Sequence, residues 1–216
     1  LNPEPVFVAQ LFSIHPENPQ PRLIRRAVEI VRAGGVIVYP TDSCYALGCH
    51  LGDKAAMERI RAIRQVDERH HFALVCRDLA EIGTYARVDN PQFRLLKSAT
   101  PGSYTFILKA SRELPKRLLH PRRRTIGLRV PDHRVVRALL EELGEPLLSS
   151  TLMLPGDDRP LNDAQEIRGR MEREVDLILD CGSCGITPTT VVDLTGDQPV
   201  ITRQGKGSVE AFGLPA

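Results

Sequence analysis

Tryptophan is absent from this sequence of 216 residues, and aromatic residues amount to only 5%. Binders of single-stranded nucleic acid stack bases on aromatic side chains, so a supply this small argues against that mode. Charge of either sign is not in excess. The net charge of +2 excludes a globally basic nucleic-acid protein but leaves room for a local basic patch. No apolar run approaches the roughly 20 residues that span a bilayer. The segment LNPEPVFVAQLF is too short and too broken by proline to read as a signal peptide. These absences predict a soluble, cytoplasmic protein with no membrane partner. Cysteines stand at 44, 49, 76, 181 and 184, odd in number and irregular in spacing. No disulfide framework is expected, and a reducing compartment suits them. Cys181 and Cys184 form one CxxC without a second pair or following His ligands, which reads as a turn rather than a zinc site. His70-His71 also lacks spaced partners for a metal. GxxxxGK[ST], GxGxxG and GxSxG are all missing, so this is not a P-loop nucleotide enzyme.

What is present is ordinary for a globular protein: 42% apolar and 26% charged residues, in a chain long enough to bury a full core. Helix-like and strand-like segments alternate. Leu23, Ile24, Ala27, Val28 and Val31 keep a helical period that Gly34-Gly35 ends. Asp53 can cap a helix whose apolar face is Ala56, Ile60 and Ile63. Asn90-Pro91 marks another helix start, and Asp132 a third, running to Leu143 before Gly144. Asp163 and Glu166 form a capping-box pattern ahead of a helix to about Arg173. Segments 36–39, 72–76, 104–109, 125–130, 146–151, 175–180, 190–194 and 199–203 read as strands. The strands that follow one another near the end predict a mixed sheet within one α/β domain over residues 1–216.

Polar clusters recur where strands end: Thr41 to Tyr45, Ser149 to Thr151, Thr189-Thr190, and Arg203. Ligands of open α/β sheets gather at such ends. Hydroxyls and backbone N–H groups can hold an anion there, and arginines can neutralise it. The candidates are Arg64, Arg129 and Arg203. Arg129 follows Ile126 and Leu128, so it is either the solvent-facing member of a period-2 pattern or an arginine turned into a cleft. Thr41 and Ser43 could equally be turn formers after Pro40. Cys44 lies in the same loop with no base identified by the sequence. KRLLHPRRR (116–124) is either a solvated face or a phosphate-tracking patch, with Arg122, Arg123 and Arg124 at its end.

Six segments together resemble the YrdC/YciO family, and the YciO branch most closely. They are GGVIVYPTDSCYALGC (34–49), PGSYTFIL (101–108), IGLRVPDH (126–133), GEPLLSSTLMLPG (144–156), PTTVVDLT (188–195) and RQG (203–205). They keep the family's order over nearly the whole chain. The resemblance implies a YrdC-like twisted mixed sheet, flanked by helices, with a large concave basic groove. It implies an L-threonylcarbamoyladenylate synthase, which joins L-threonine, bicarbonate and ATP and releases pyrophosphate. ATP is then a substrate, with Mg²⁺ as its companion. The product serves modification of adenosine 37 of tRNA through separate threonylcarbamoyl-transfer proteins. It further implies that Thr41, Arg129, Ser149 and Thr189 face threonine. Arg64, Thr125, Thr151 and Arg203 face the nucleotide, and Arg64 and Arg129 are the catalytic pair; no side chain is assigned to a metal.

The sequence departs from the family's pattern around the nucleotide. Its K-x-R reads Arg64-Gln65-Val66, its Ser-Ala-Asn reads Thr151-Leu152-Met153, and its Glu-Ser-Thr reads Pro188-Thr189-Thr190. An arginine for a lysine keeps charge but exchanges a compact ammonium for a planar fork. The alternative implied by these departures is a double-stranded RNA- or nucleotide-binding protein of the same fold with weak or no synthase activity. Under that alternative, neutralising Arg122, Arg123 and Arg124 should weaken duplex-RNA binding uniformly across sequences and flatten its salt dependence. A salt titration of wild type and triple variant checks this, and identical curves would remove the patch.

Overall fold

One sheet organises the fold, with helices packed on both of its faces. The structure, a computed structural model, describes residues 8–67, 70, 72–118 and 124–213. Its strands are β1 (Gln10–Ser13), β2 (Ile37–Tyr39), β3 (Ala46–His50), β4 (Ala73–Val75), β5 (Tyr104–Lys109), β6 (Thr125–Arg129), β7 (Leu147–Thr151), β8 (Leu177–Asp180), β9 (Thr190–Asp193) and β10 (Val200–Arg203). They lie side by side in the order β1-β8-β2-β3-β7-β4-β6-β5-β9-β10. Pairs β1/β8, β2/β8, β4/β6 and β5/β9 are parallel, and the other five are antiparallel, so the sheet is mixed.

Neighbouring residues on a strand enter opposite cores. Ile37 and Tyr39 pack with the apolar faces of α1 (Pro21–Arg32) and α5 (Arg134–Leu143), whereas Val38 packs on the other side. That other core also takes side chains from α2 (Lys54–Arg64), α3 (Leu79–Tyr85), α4 (Asn90–Ala99) and α6 (Ala164–Met171). Two covered faces explain why the central strands read as continuous apolar runs. Each fully buried side chain here, such as Ile60 or Leu74, stabilises the fold by roughly 1.5–3 kcal/mol.

Several helix ends follow the sequence expectation. Asp53 Oδ1 accepts from Ala56 N at 2.9 Å, and Asp163 Oδ1 from Glu166 N at 2.8 Å. Gly144 closes α5 in the left-handed region at φ 77°. Two caps differ. Asp89, not Asn90, caps α4, in a reciprocal box with Gln92, because Pro91 then occupies the first turn, where no N–H is needed. Asp132 does not cap α5: His133 stands at that position, and Asp132 gives its N–H to Asp42 Oδ2 instead. α6 ends at Met171, short of Arg173. β1, β3 and α3 are additional elements. β3 makes residues 40–45 the connection of a β2–β3 hairpin. Its Gly48 is needed because a Cβ there would lie 2.7 Å from the Tyr39 ring.

The segment after β10 packs its backbone on the start of β9. Thr190 Oγ1 donates to Gly207 O at 2.6 Å and accepts from Gly205 N at 3.0 Å. A Cβ on Gly205 would sit 2.3 Å from Pro188 O. Gly205→Ala should therefore destabilise the protein by about 1–3 kcal/mol in a urea titration, since backbone must move to admit the methyl group.

Candidate functional site

The polar run after β2 is consumed in knitting three parts of the chain together. Thr41 Oγ1 donates to Cys44 O at 2.7 Å and accepts from Ser43 N and Cys44 N. Its hydroxyl closes the turn, so Thr41 is buried inside the loop and not on a cavity wall. Asp42 reaches β6, where Arg129 Nη2 donates to Oδ1 at 2.6 Å. Ser43 Oγ lies 3.4 Å from the same Nη2. Tyr45 OH donates to Gly182 O at 2.6 Å and accepts from Cys181 N, which clamps residues 181–186 onto the loop. Within that clamp, Cys184 N and Gly185 N both donate to Asn162 Oδ1, each at 2.9 Å. The CxxC is thus a turn with two free thiols.

Arg64, Arg129 and Arg203 converge on one cavity of about 480 Å³. They come from the end of α2, the end of β6 and the end of β10. Arg64 donates from Nη1 to Ser150 Oγ at 2.6 Å and from Nε to Met153 O at 3.2 Å. Arg203 grips Thr189 O with Nε at 3.1 Å and Nη2 at 2.9 Å. Arg129 is not solvent-facing: its side chain is 8% exposed, as is that of its partner Asp42. Its Nε is buried with no acceptor. A buried donor left unpaired costs about 1–3 kcal/mol.

No carboxylate lines the cavity among the described residues; Asp42 stands behind Arg129. Burial lowers the pKa of Arg64, and the charge of Arg203 lowers it further. Burial lowers Arg203 as well, with the charge of Arg129 adding to it. Guanidinium groups gathered on a wall without a carboxylate among the described residues leave it positively charged, which favours an anionic ligand.

The hydroxyls divide into those on the wall and those tied into the sheet. Thr125, Ser149, Ser150, Thr151 and Thr189 all line the cavity. Ser149 Oγ donates to Leu47 O at 3.1 Å and lies 2.6 Å from Tyr39 OH, which leaves Tyr39 as the donor between them. Burial pushes Tyr39 up to about 12. Thr189 Oγ1 lies 2.8 Å from Thr105 Oγ1. The sequence reading held Ser150 only as part of the Ser149 to Thr151 cluster, and as a cavity residue it missed His70, whose Nε2 is 3.0 Å from Ser150 Oγ and whose ring meets Phe72 edge-on. It also missed the ion pair of Asp42, although that residue stands inside the polar run. Arg122 and Arg123 lie outside the described residues. Arg124 is exposed, away from the cavity, with φ 53°.

Comparison with known proteins places this site in context. The Sua5_yciO_yrdC family model, described as "Telomere recombination", matches residues 29–205. The uncharacterized protein YciO of Escherichia coli strain K12 is 59% identical over 205 residues, covering 95% of this chain and 100% of that protein. The crystal structure of E. coli YciO superposes with a TM-score of 0.92, covering 94% of this chain and 99% of that one. A structure of P. abyssi Sua5 complexed with L-threonine is 23% identical with a TM-score of 0.83. It covers 90% of this chain and 57% of that one, and it establishes likeness of fold.

The cavity's charge makes one prediction independent of any substrate. Pyrophosphate at about a hundredfold its Kd should stabilise the protein by about 2.7 kcal/mol, or about 5–10 °C in Tm. Arg203→Gln should remove most of that shift in a thermal melt. An undiminished shift in the variant would place the anion elsewhere.

Proposed function

The chain belongs to the Sua5/YciO/YrdC family, and from that premise we propose that it is an L-threonylcarbamoyladenylate synthase of slow turnover. The observation that carries the reading is Arg129: a buried guanidinium on the cavity wall, held by Asp42 through a single nitrogen, among the hydroxyls of Ser149 and Thr189. This is a receptor for a small carboxylate. The L-threonine held by P. abyssi Sua5 supports threonine as that carboxylate.

The chemistry has two steps. The amine of threonine attacks the carbon of bicarbonate and a C–O bond breaks with loss of water to give a carbamate; the carbamate oxygen then attacks the α-phosphorus of ATP as pyrophosphate leaves. Holding the amino acid and nucleotide in one cavity supplies orientation. Arg64 and Arg203 stabilise the charge that develops on the phosphate oxygens. The described residues of the wall offer these cations and no carboxylate, so Mg²⁺ would come with the nucleotide and would supply charge neutralisation there. The product is a donor for tRNA modification through partner proteins.

Slow turnover follows from Arg64. Its guanidinium is engaged by Ser150 Oγ and Met153 O, and those contacts must loosen before it can follow a moving phosphate. The same observation favours, as a second reading, a nucleotide binder that has lost efficient turnover.

Purified protein should release pyrophosphate from ATP only when threonine and bicarbonate are both supplied. Release that ignores threonine would count against the synthase, and ATP binding without any release would favour the binder. Arg129→Ala should weaken threonine binding by about 2–5 kcal/mol in calorimetry, as expected for loss of a desolvated charge pair. A titration matching wild type would put the carboxylate elsewhere.

A further inference from the structure

We propose that Asp42 is a positioning residue for ligand binding: engaging one nitrogen only, it fixes the Arg129 guanidinium on the cavity wall in the orientation that receives the ligand's carboxylate. The proposal rests on the reading of Arg129 as the carboxylate receptor. Four contacts set Asp42 at a junction. Its Oδ1 accepts from Arg129 Nη2 at 2.6 Å, and its Oδ2 from Asp132 N at 3.1 Å. Its backbone carbonyl accepts from Ser103 Oγ at 3.4 Å and from Lys206 Nζ. The carboxylate is therefore held from the side opposite Arg129 and cannot swing with it. The backbone is held by the segment that also carries Arg203.

An arginine side chain samples many rotamers unless something stops it. Asp42 stops this one while engaging a single nitrogen. An Arg–carboxylate pair can use two parallel bonds. Here Nε remains buried and without an acceptor. The pair orients the guanidinium without saturating it.

Asp42 also brings a negative charge close to the place of an anionic ligand. By Coulomb repulsion alone, its removal would tighten anion binding. By positioning, its removal would weaken binding, because Arg129 would be released. The two effects have opposite signs, so the sign of the change separates them.

The experiment uses the full chain and L-threonine as probe. Affinity is measured by calorimetry for wild type, Asp42→Asn and Asp42→Glu, and the side-chain Nε–H resonance of Arg129 is followed by NMR. Asp42→Asn is expected to weaken threonine binding at least tenfold and to turn a slowly exchanging Nε–H into a rapidly exchanging one. Asp42→Glu, which keeps the charge, is expected to restore part of both. Equal or tighter binding in a folded Asp42→Asn protein overturns the proposal. If Asp42→Asn does not fold, Lys206→Met replaces an exposed residue and leaves the ion pair in place. A two- to fivefold loss supports the junction, and an unchanged affinity overturns it. If wild type takes up no threonine, the carboxylate reading of the cavity has failed. Positioning is then judged by the resonance: loss of protection in Asp42→Asn supports it, and retained protection overturns it.

Discussion

Three guanidinium groups gathered on one cavity wall, those of Arg64, Arg129 and Arg203, are the constraint around which the site is organised. Like charges brought together from three distant stretches of chain raise the free energy of the folded state. The protein offsets this in a different way at each position. Arg129 has a counter-ion in Asp42, Arg64 has Ser150 and the Met153 carbonyl, and Arg203 has the carbonyl of Thr189. Of these four partners only Asp42 carries a charge, and the other three line the cavity themselves.

The sheet makes that arrangement possible. β7 and β6 flank β4 at the centre, and their ends deliver Ser149–Thr151 and Arg129 to the same place. β9 and β10 close the chain along one edge and bring Thr189 and Arg203 back beside them. Gly205 lets this returning segment touch the start of β9 without a side chain between them. Mixed strand directions place chain ends from early, middle and late in the sequence within one hollow.

Much of this was legible in the residues, for physical reasons. Strands covered on both faces announce themselves as short apolar runs, and β2, β5 and β6 fall where those runs fall. Helix caps written in Asp are recognisable at Asp53 and Asp163. β3 was hidden because Gly48 and Cys49 carry no strand pattern, and its burial comes from the hairpin partner. Arg129 was ambiguous because a period of two cannot tell an outward face from a cavity. Thr41 illustrates the opposite case. Its residue type suits a ligand contact, yet the turn it closes consumes its hydroxyl. His70 could not be found at all, since its nearness to Ser150 depends on how the chain after α2 turns back.

The division of labour within one face of the sheet has a consequence for how the molecule can vary. α1 and α5 cover only part of that face, and the cavity opens on the rest of it: Ala73 and Ser149 on the wall share a strand face with Val75 and Leu147, which pack with those helices. The bed beneath the two helices and the floor of the hollow are one continuous surface. A change in how the helices settle is therefore felt at the rim where chemistry would take place.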